Sequence, residues 1–147
     1  MEKSLAPKLF VINGVNLGTL GRRSPEVYGT LTLYDIEKLL KDEFPRVQFE
    51  FRQTDYEGEM IEFIREAAES TGIAINPGAW THYSYALHDA LEVVDVPKVE
   101  VHISNIHKRE DWRRRSVVSP AVDAVVAGMG EFGYSSAVGY LLSRAAG

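Results

Sequence analysis

Five short runs of strand-forming residues are spaced along this chain with helical patterns between them, and that alternation restricts the fold more than any single motif. Leu9-Phe10-Val11-Ile12 reads as a first strand. In the second, from Arg46 to Gln53, Val47, Phe49 and Phe51 alternate with Gln48, Glu50 and Arg52, and the polar alternate face places this strand near a sheet edge. Ile73-Ala74-Ile75 is a short buried strand. The fourth, Lys98 to Ser104, sets Val99, Val101 and Ile103 on one face and Glu100, His102 and Ser104 on the other, and Ala124 to Ala127 is a fifth.

The intervening segments have the period of helices. Thr32 caps the first, Asp35 answers it, and Leu33, Ile36, Leu39, Leu40 and Phe44 recur at helical spacing until Pro45. The next spans Glu57 to Ser70 with Met60, Ile61, Ile64, Ala67 and Ala68 inward, ahead of Gly72. A third, capped by Thr81, covers His82 to Val93 through Ala86, Leu87, Ala90 and Leu91, and a closing helix carries Tyr134, Ala137, Val138, Leu141, Leu142 and Ala145. Such alternation predicts an α/β fold, a flavodoxin-like five-stranded parallel sheet with helices on both faces. Open sheets of this kind bind ligands outside the carboxyl ends of their strands, where the strand order reverses. Asn13 with the loop after it, Asn76 with His82, and His102 with Ser104 all fall at those ends.

The length of 147 residues predicts one catalytic domain, 1–147, and 45% apolar with 25% charged residues match an ordinary soluble protein. A net charge of -5 disfavours a general nucleic-acid surface, despite the basic residues Lys108, Arg109, Arg113, Arg114 and Arg115. There is no cysteine, which excludes disulfides, thiolate catalysis and Cys-ligated metal. No apolar stretch approaches the roughly 18 residues of a membrane span, and the first eight residues lack a signal-peptide core, so a cytoplasmic location without membrane partners is expected.

From Asn13 to Tyr28 runs a long loop rich in glycine, with two asparagines, two adjacent arginines and a tyrosine. A loop of that length in a compact domain is a lid, a binding loop or a solvated connection. His102 alone suits a core histidine bonded to a carbonyl. With Glu100 two residues earlier on the same face, a carboxylate can instead fix the imidazole's tautomer and favour its acid form. Asn76-Pro-Gly-Ala-Trp-Thr-His82 reads either as a simple strand-to-helix turn or as an amide and an imidazole beside free backbone N–H groups. Tyrosines usually pack with the hydroxyl at the surface. A phenol with a pKa of about 10 becomes a base near neutral pH only if its phenolate is favoured by roughly 3–4 kcal/mol, which a guanidinium supplies. Arg22 and Arg23 lie close to Tyr28 in sequence. Arg113 belongs either to a solvated basic face or to a segment folded back over a ligand.

Three blocks, Asn13-Gly-Val-Asn-Leu-Gly-Thr-Leu-Gly-Arg-Arg-Ser-Pro-Glu-Val-Tyr-Gly29, Asn76-Pro-Gly-Ala-Trp-Thr-His82 and Glu100-Val-His-Ile-Ser-Asn-Ile-His-Lys-Arg-Glu-Asp-Trp-Arg113, resemble the signatures of type II 3-dehydroquinate dehydratase, in order and over nearly the whole chain. The resemblance implies a dodecamer of four trimers and a cofactor-free, metal-free, reversible dehydration of 3-dehydroquinate to 3-dehydroshikimate in the shikimate or quinate pathway. By the same resemblance Tyr28 is the base, Arg23 stabilises its phenolate, Asn16 helps hold a water against an enolate, and His102, oriented by Glu100, protonates the departing hydroxyl. Binding is implied for Asn76, Ser104 and the backbone N–H of Ile103 around carboxylate and ring, for His82 and Arg113 at the hydroxyls, and for Asp89 of a neighbouring subunit. Val15, Ser24 and Ala79 depart from the family's usual proline, glutamate and glycine, and none of them is a proton-transfer residue. The glycines at 14, 18 and 21 match neither a Gly-x-Gly-x-x-Gly nor a Lys-containing phosphate loop, which argues against a flavin or nucleotide protein. Asn13 and Asn16 stand where a receiver-like module would carry an acidic cluster.

Overall fold

A computed structural model, describing residues 5–146, joins β1 (Lys8–Asn13), β2 (Gln48–Gln53), β3 (Gly72–Asn76), β4 (Lys98–His102) and β5 (Ala124–Ala127) into one sheet. Every pairing is parallel and the order is β2-β1-β3-β4-β5, which is the flavodoxin-like arrangement with its reversal between β1 and β3. Strand β2 is an edge, as its polar alternate residues require. At the reversal the last residues of β1 and β3, Asn13 and Asn76, stand side by side in register.

The helices are α1 (Pro25–Tyr28), α2 (Leu33–Glu43), α3 (Glu57–Glu66), α4 (Tyr85–Val93) and α5 (Phe132–Ala146). Period-two alternation divides the sheet's side chains between two cores. On one side Leu9, Val11, Val99 and Val101 pack against Ile36 and Leu40 of α2 and Tyr134, Val138 and Leu141 of α5. On the other, Phe10, Ile12, Ile73 and Ile75 pack against Met60 and Ile64 of α3 and Leu87 and Leu91 of α4. Each fully buried leucine here carries a truncation cost of about 2–5 kcal/mol. Helix α2 starts with a complete capping box: the Thr32 hydroxyl accepts from the Asp35 N–H at 3.2 Å, and the Asp35 carboxylate accepts from the Thr32 N–H at 3.0 Å. The Thr32 backbone N–H, with the Thr32 hydroxyl beside it, holds the Asp35 carboxyl below its usual range.

Some boundaries differ from the sequence expectation. Helix α3 ends at Glu66 and tightens into a 3-10 turn over Ala67–Glu69. Residues Gly78–His82 also form a 3-10 turn, and α4 begins only at Tyr85, capped by Ser84, whose hydroxyl accepts from the Leu87 N–H at 3.1 Å. Thr81 is no cap, because its buried hydroxyl has a stronger acceptor in the Glu100 carboxylate. In α5, Leu142 is only partly buried and Ala145 is exposed.

The loop from Asn13 to Tyr28 is anchored rather than open. It makes a 3-10 turn over Leu17–Thr19, and Leu17 and Leu20 are both buried in the α2–α5 core. Two glycines let it dock on the turn after β3. A Cβ on Gly14 would lie 2.7 Å from the Pro77 carbonyl oxygen, and Gly78, at φ +62°, faces the Val15 carbonyl oxygen where a Cβ would be 2.8 Å away. The loops after β1 and β3 therefore meet with no room for side chains at these points.

Candidate active site

A small cleft opens over the carboxyl ends of β3 and β4. Asn76 and His102 reach it from the strand ends, Ile103 and Ser104 from the residues after β4, His82 from the turn after β3, Arg23 and Tyr28 from the first loop, and Arg109 and Arg113 from the segment after β4. Of the site residues expected from sequence, these eight line one cavity: Tyr28, His102, Arg23, Asn76, His82, Ile103, Ser104 and Arg113. Glu100 stands directly beneath, bonded to His102. Asn16 and Asp89 lie outside the lining. Asn16 is exposed, in a left-handed conformation at φ 67°, with its N–H donating to Asp55 at 2.8 Å. Asp89 is exposed on α4.

Strand β4 is buried along its whole length, so its polar face looks into the protein. Glu100 is 0% exposed. Its Oε2 pairs with His102 Nε2 and accepts from the Thr81 hydroxyl, while its Oε1 accepts from the Ser119 hydroxyl at 2.7 Å. Burial pushes the Glu100 carboxyl up, but the bonds from His102, Thr81 and Ser119 outweigh it and hold the group below the usual carboxylate range. Glu100 is therefore an anion at neutral pH. With Nε2 engaged by Glu100, Nδ1 is the His102 nitrogen left for a ligand, a tautomer assigned from that bond.

Across the cleft, Arg109 Nη1 donates to the Tyr28 hydroxyl at 2.8 Å and to the Ser104 hydroxyl at 3.2 Å. Arg23 faces the same ring differently, with its Cζ 4.3 Å from the ring centroid. Two guanidinium groups thus surround one phenol, and both favour negative charge on its oxygen. Arg113 is held by Glu110 at 2.9 Å and lies over Trp112, 4.1 Å from the ring centroid. That contact with Arg113 also keeps the exposed Glu110 carboxyl below its usual range.

His82 is oriented by a bond of 2.7 Å between Nδ1 and the Arg115 carbonyl oxygen, and by the edge of Trp112. Burial pushes its pKa down from the ordinary value of 6.5, so the ring is neutral at pH 7 with Nε2 free to accept. Asn76 Oδ1 accepts from the Gly78 N–H at 3.1 Å, and its Nδ2 donates to the Tyr134 hydroxyl at 3.0 Å. That hydroxyl donates in turn to Asn13 Oδ1 at 2.5 Å, and burial pushes the Tyr134 phenol far up, so it stays neutral.

Away from the cleft, His88, Asp89 and Glu92 bring potential ligand atoms within 4.8 Å of one another on α4. Both ring nitrogens of His88 are already engaged, Nδ1 with the Val117 carbonyl at 2.7 Å and Nε2 with Glu92 at 2.9 Å. No helix among the described residues is long and apolar enough to cross a membrane.

Residues 7–142 match the family model described as dehydroquinase class II. The chain belongs to that family. It is 50% identical over 95% of its length to a 3-dehydroquinate dehydratase of Kineococcus radiotolerans, covering 98% of that protein. Among solved structures it is similar to the type II dehydroquinase of Propionibacterium acnes, with a TM-score of 0.90, 42% identity and coverage of 96% of this chain and 99% of that one. The type II dehydroquinase of Butyrivibrio crossotus also superimposes with a TM-score of 0.90, at 40% identity, over 92% of this chain and 97% of that one.

For this dehydroquinase, sequence reasoning missed Arg109, Asn13 with Tyr134, and the hydroxyls around Glu100. Arg109 sat inside a basic run that reads equally well as a solvated face. Its signal was position, five residues beyond Ser104 at the cleft rim. Ser116 and Ser119 lie in a segment without period, and nothing in their spacing points at a carboxylate.

Proposed function

We propose that this chain, as one catalytic domain over 1–147, is a cytoplasmic 3-dehydroquinate dehydratase that works through an enolate, with Tyr28 as base and His102 as acid. The observation that carries the reading is the pairing, in one small cleft, of a phenol held by two guanidinium groups with an imidazole held by a buried carboxylate.

The proposed chemistry follows from that pairing. As its phenolate, Tyr28 takes the proton from the carbon next to the substrate ketone, and the C–H electron pair moves into an enolate. Arg109 and Arg23 each present a fixed positive charge to the phenol, which favours the phenolate as the proton is taken up. The enolate then returns its electrons to form the carbon–carbon double bond as the hydroxyl beyond it leaves. His102 gives that hydroxyl its Nδ1 proton, so water departs and the imidazole is left neutral beside the Glu100 anion. Tyr28 holds the abstracted proton, and returning it to solvent while His102 takes one up resets the site.

Binding is assigned on the same basis. Asn76, Ser104 and the Ile103 N–H take the carboxylate and ring, while neutral His82 and cationic Arg113 take the ring hydroxyls. Asn16 receives its role at the enolate water by family resemblance alone. We assign Asp89 to the cleft of a neighbouring subunit in a dodecamer of four trimers. Its exposed place on α4, near the exposed Tyr85 and Val93, supports that contact. The test is absorbance of the conjugated enone on addition of 3-dehydroquinate. Enone formed by the purified chain supports the reading, and no enone from an intact, assembled protein overturns it.

A further inference from the structure

Glu100 lies beneath the cleft with no exposure, yet every side chain bonded to it is a donor. An uncharged carboxyl would not need that many. The Thr81 hydroxyl and His102 bond Oε2, the Ser119 hydroxyl bonds Oε1 at 2.7 Å, and the Ser116 hydroxyl lies 3.3 Å from Oε1 and 3.2 Å from Oε2. Ser116 has a second task, because its Oγ accepts from the N–H groups of Val118 and Ser119 at 3.2 and 2.9 Å and so shapes the turn. Among the described residues the Ser119 hydroxyl bonds only Glu100.

The two serines belong to a strap, Arg115 to Ser119, that is fastened to the turn after β3. The Val117 N–H donates to the Thr81 carbonyl oxygen at 2.8 Å, and the Arg115 carbonyl oxygen bonds His82. One strap thus contacts both the carboxylate behind the acid and a ring in the binding wall. Resting on the function proposed above, we infer that Ser119, with Ser116, is a positioning residue of the acid step: its hydroxyl disperses the Glu100 charge and fixes the carboxylate's aim, so that His102 is oriented to give its proton to the leaving group. Neither serine lines the cleft, so they act only through Glu100.

Removing one hydroxyl donor from a buried anion leaves its charge less dispersed, so the carboxylate holds the His102 proton more tightly and the ring is a poorer donor to the leaving group. The other charged or titratable groups at the cleft are His82, Arg113, Arg109, Arg23 and Tyr28, and Ser119 bonds none of them.

The experiment compares the assembled wild type with Ser119→Ala, Ser119→Thr, Ser116→Ala and His102→Ala, measuring kcat and KM against pH. Ser119→Ala is expected to lower kcat about tenfold, the worth of one hydrogen bond to a charged group. KM should stay within about twofold, since the serine has no contact with the cleft. The alkaline fall of kcat should move to higher pH, Ser119→Thr should restore it, and Ser116→Ala should move it in the same direction. Wild-type kcat and pH profile in Ser119→Ala overturn the inference. So does a lower kcat with an unmoved profile or without rescue by threonine, the mark of a merely structural role. Wild-type turnover in His102→Ala instead overturns the acid assignment on which the inference rests.

Discussion

Arg109 and Tyr28, 81 positions apart in the chain, meet at 2.8 Å between guanidinium and phenol oxygen. The contact joins the segment after β4 to the loop after β1. In the proposed mechanism Tyr28 becomes an anion, and a bond to it from a fixed cation strengthens as that charge develops. Replacing Arg109 by leucine is therefore expected to lower kcat by roughly 10–100-fold, the equivalent of about 1.5–3 kcal/mol. Lysine should restore only part of this, since it lacks the fork that reaches both Tyr28 and Ser104. Steady-state kinetics of both variants, with their melting temperatures, is the check.

Glu100 gives a prediction for acid stability. Its folded pKa lies below the ordinary 4.5, so its contribution is complete above that value and is lost as pH falls through the lower folded value. Urea denaturation between about pH 3 and pH 7 is expected to show stability falling below about 4.5, and Glu100→Gln should flatten that slope. An unchanged slope in the variant would assign the acid sensitivity to other carboxylates.

His82 titrates in the opposite sense to an exposed histidine with a carboxylate partner. Burial lowers its folded pKa below 6.5, so the folded state prefers the neutral ring and loses stability as pH drops from 6.5 towards the folded value. An NMR titration is expected to place its midpoint below 6.5, and His82→Ala should lower kcat/KM by about tenfold through one lost hydrogen bond.

Tyr134 links Asn13 and Asn76 without touching the cleft itself. Tyr134→Phe leaves the Asn13 oxygen and one Asn76 N–H buried without that partner, at a cost of about 1–3 kcal/mol. Thermal denaturation should show the loss, together with a raised KM as Asn76 loses its orientation.

Much of this was legible in the sequence because it depends on period. The edge position of β2 followed from Gln48, Glu50 and Arg52 alternating with aromatics, and the Glu100–His102 pair followed from a spacing of two on a strand. Thr32 and Asp35 announced their capping box three residues apart. Thr81 was misread because a threonine ahead of a helical pattern looks like a cap whether or not a buried carboxylate competes for its hydroxyl. Arg109, Ser116 and Ser119 were hidden for a related reason: they lie on 3-10 turns and irregular chain, where spacing gives no direction to a side chain. Leu17 and Leu20 were the overlooked hint that the first loop is pinned in the core.

The division of labour between Tyr28 and His102 is tested most directly in deuterium oxide, by following exchange of the proton next to the ketone alongside dehydration. His102→Ala is expected to keep exchanging that proton while dehydration falls by about 10²–10⁴-fold, and Tyr28→Phe to lose both. Exchange at the wild-type rate in Tyr28→Phe, or dehydration at the wild-type rate in His102→Ala, would contradict the assignment.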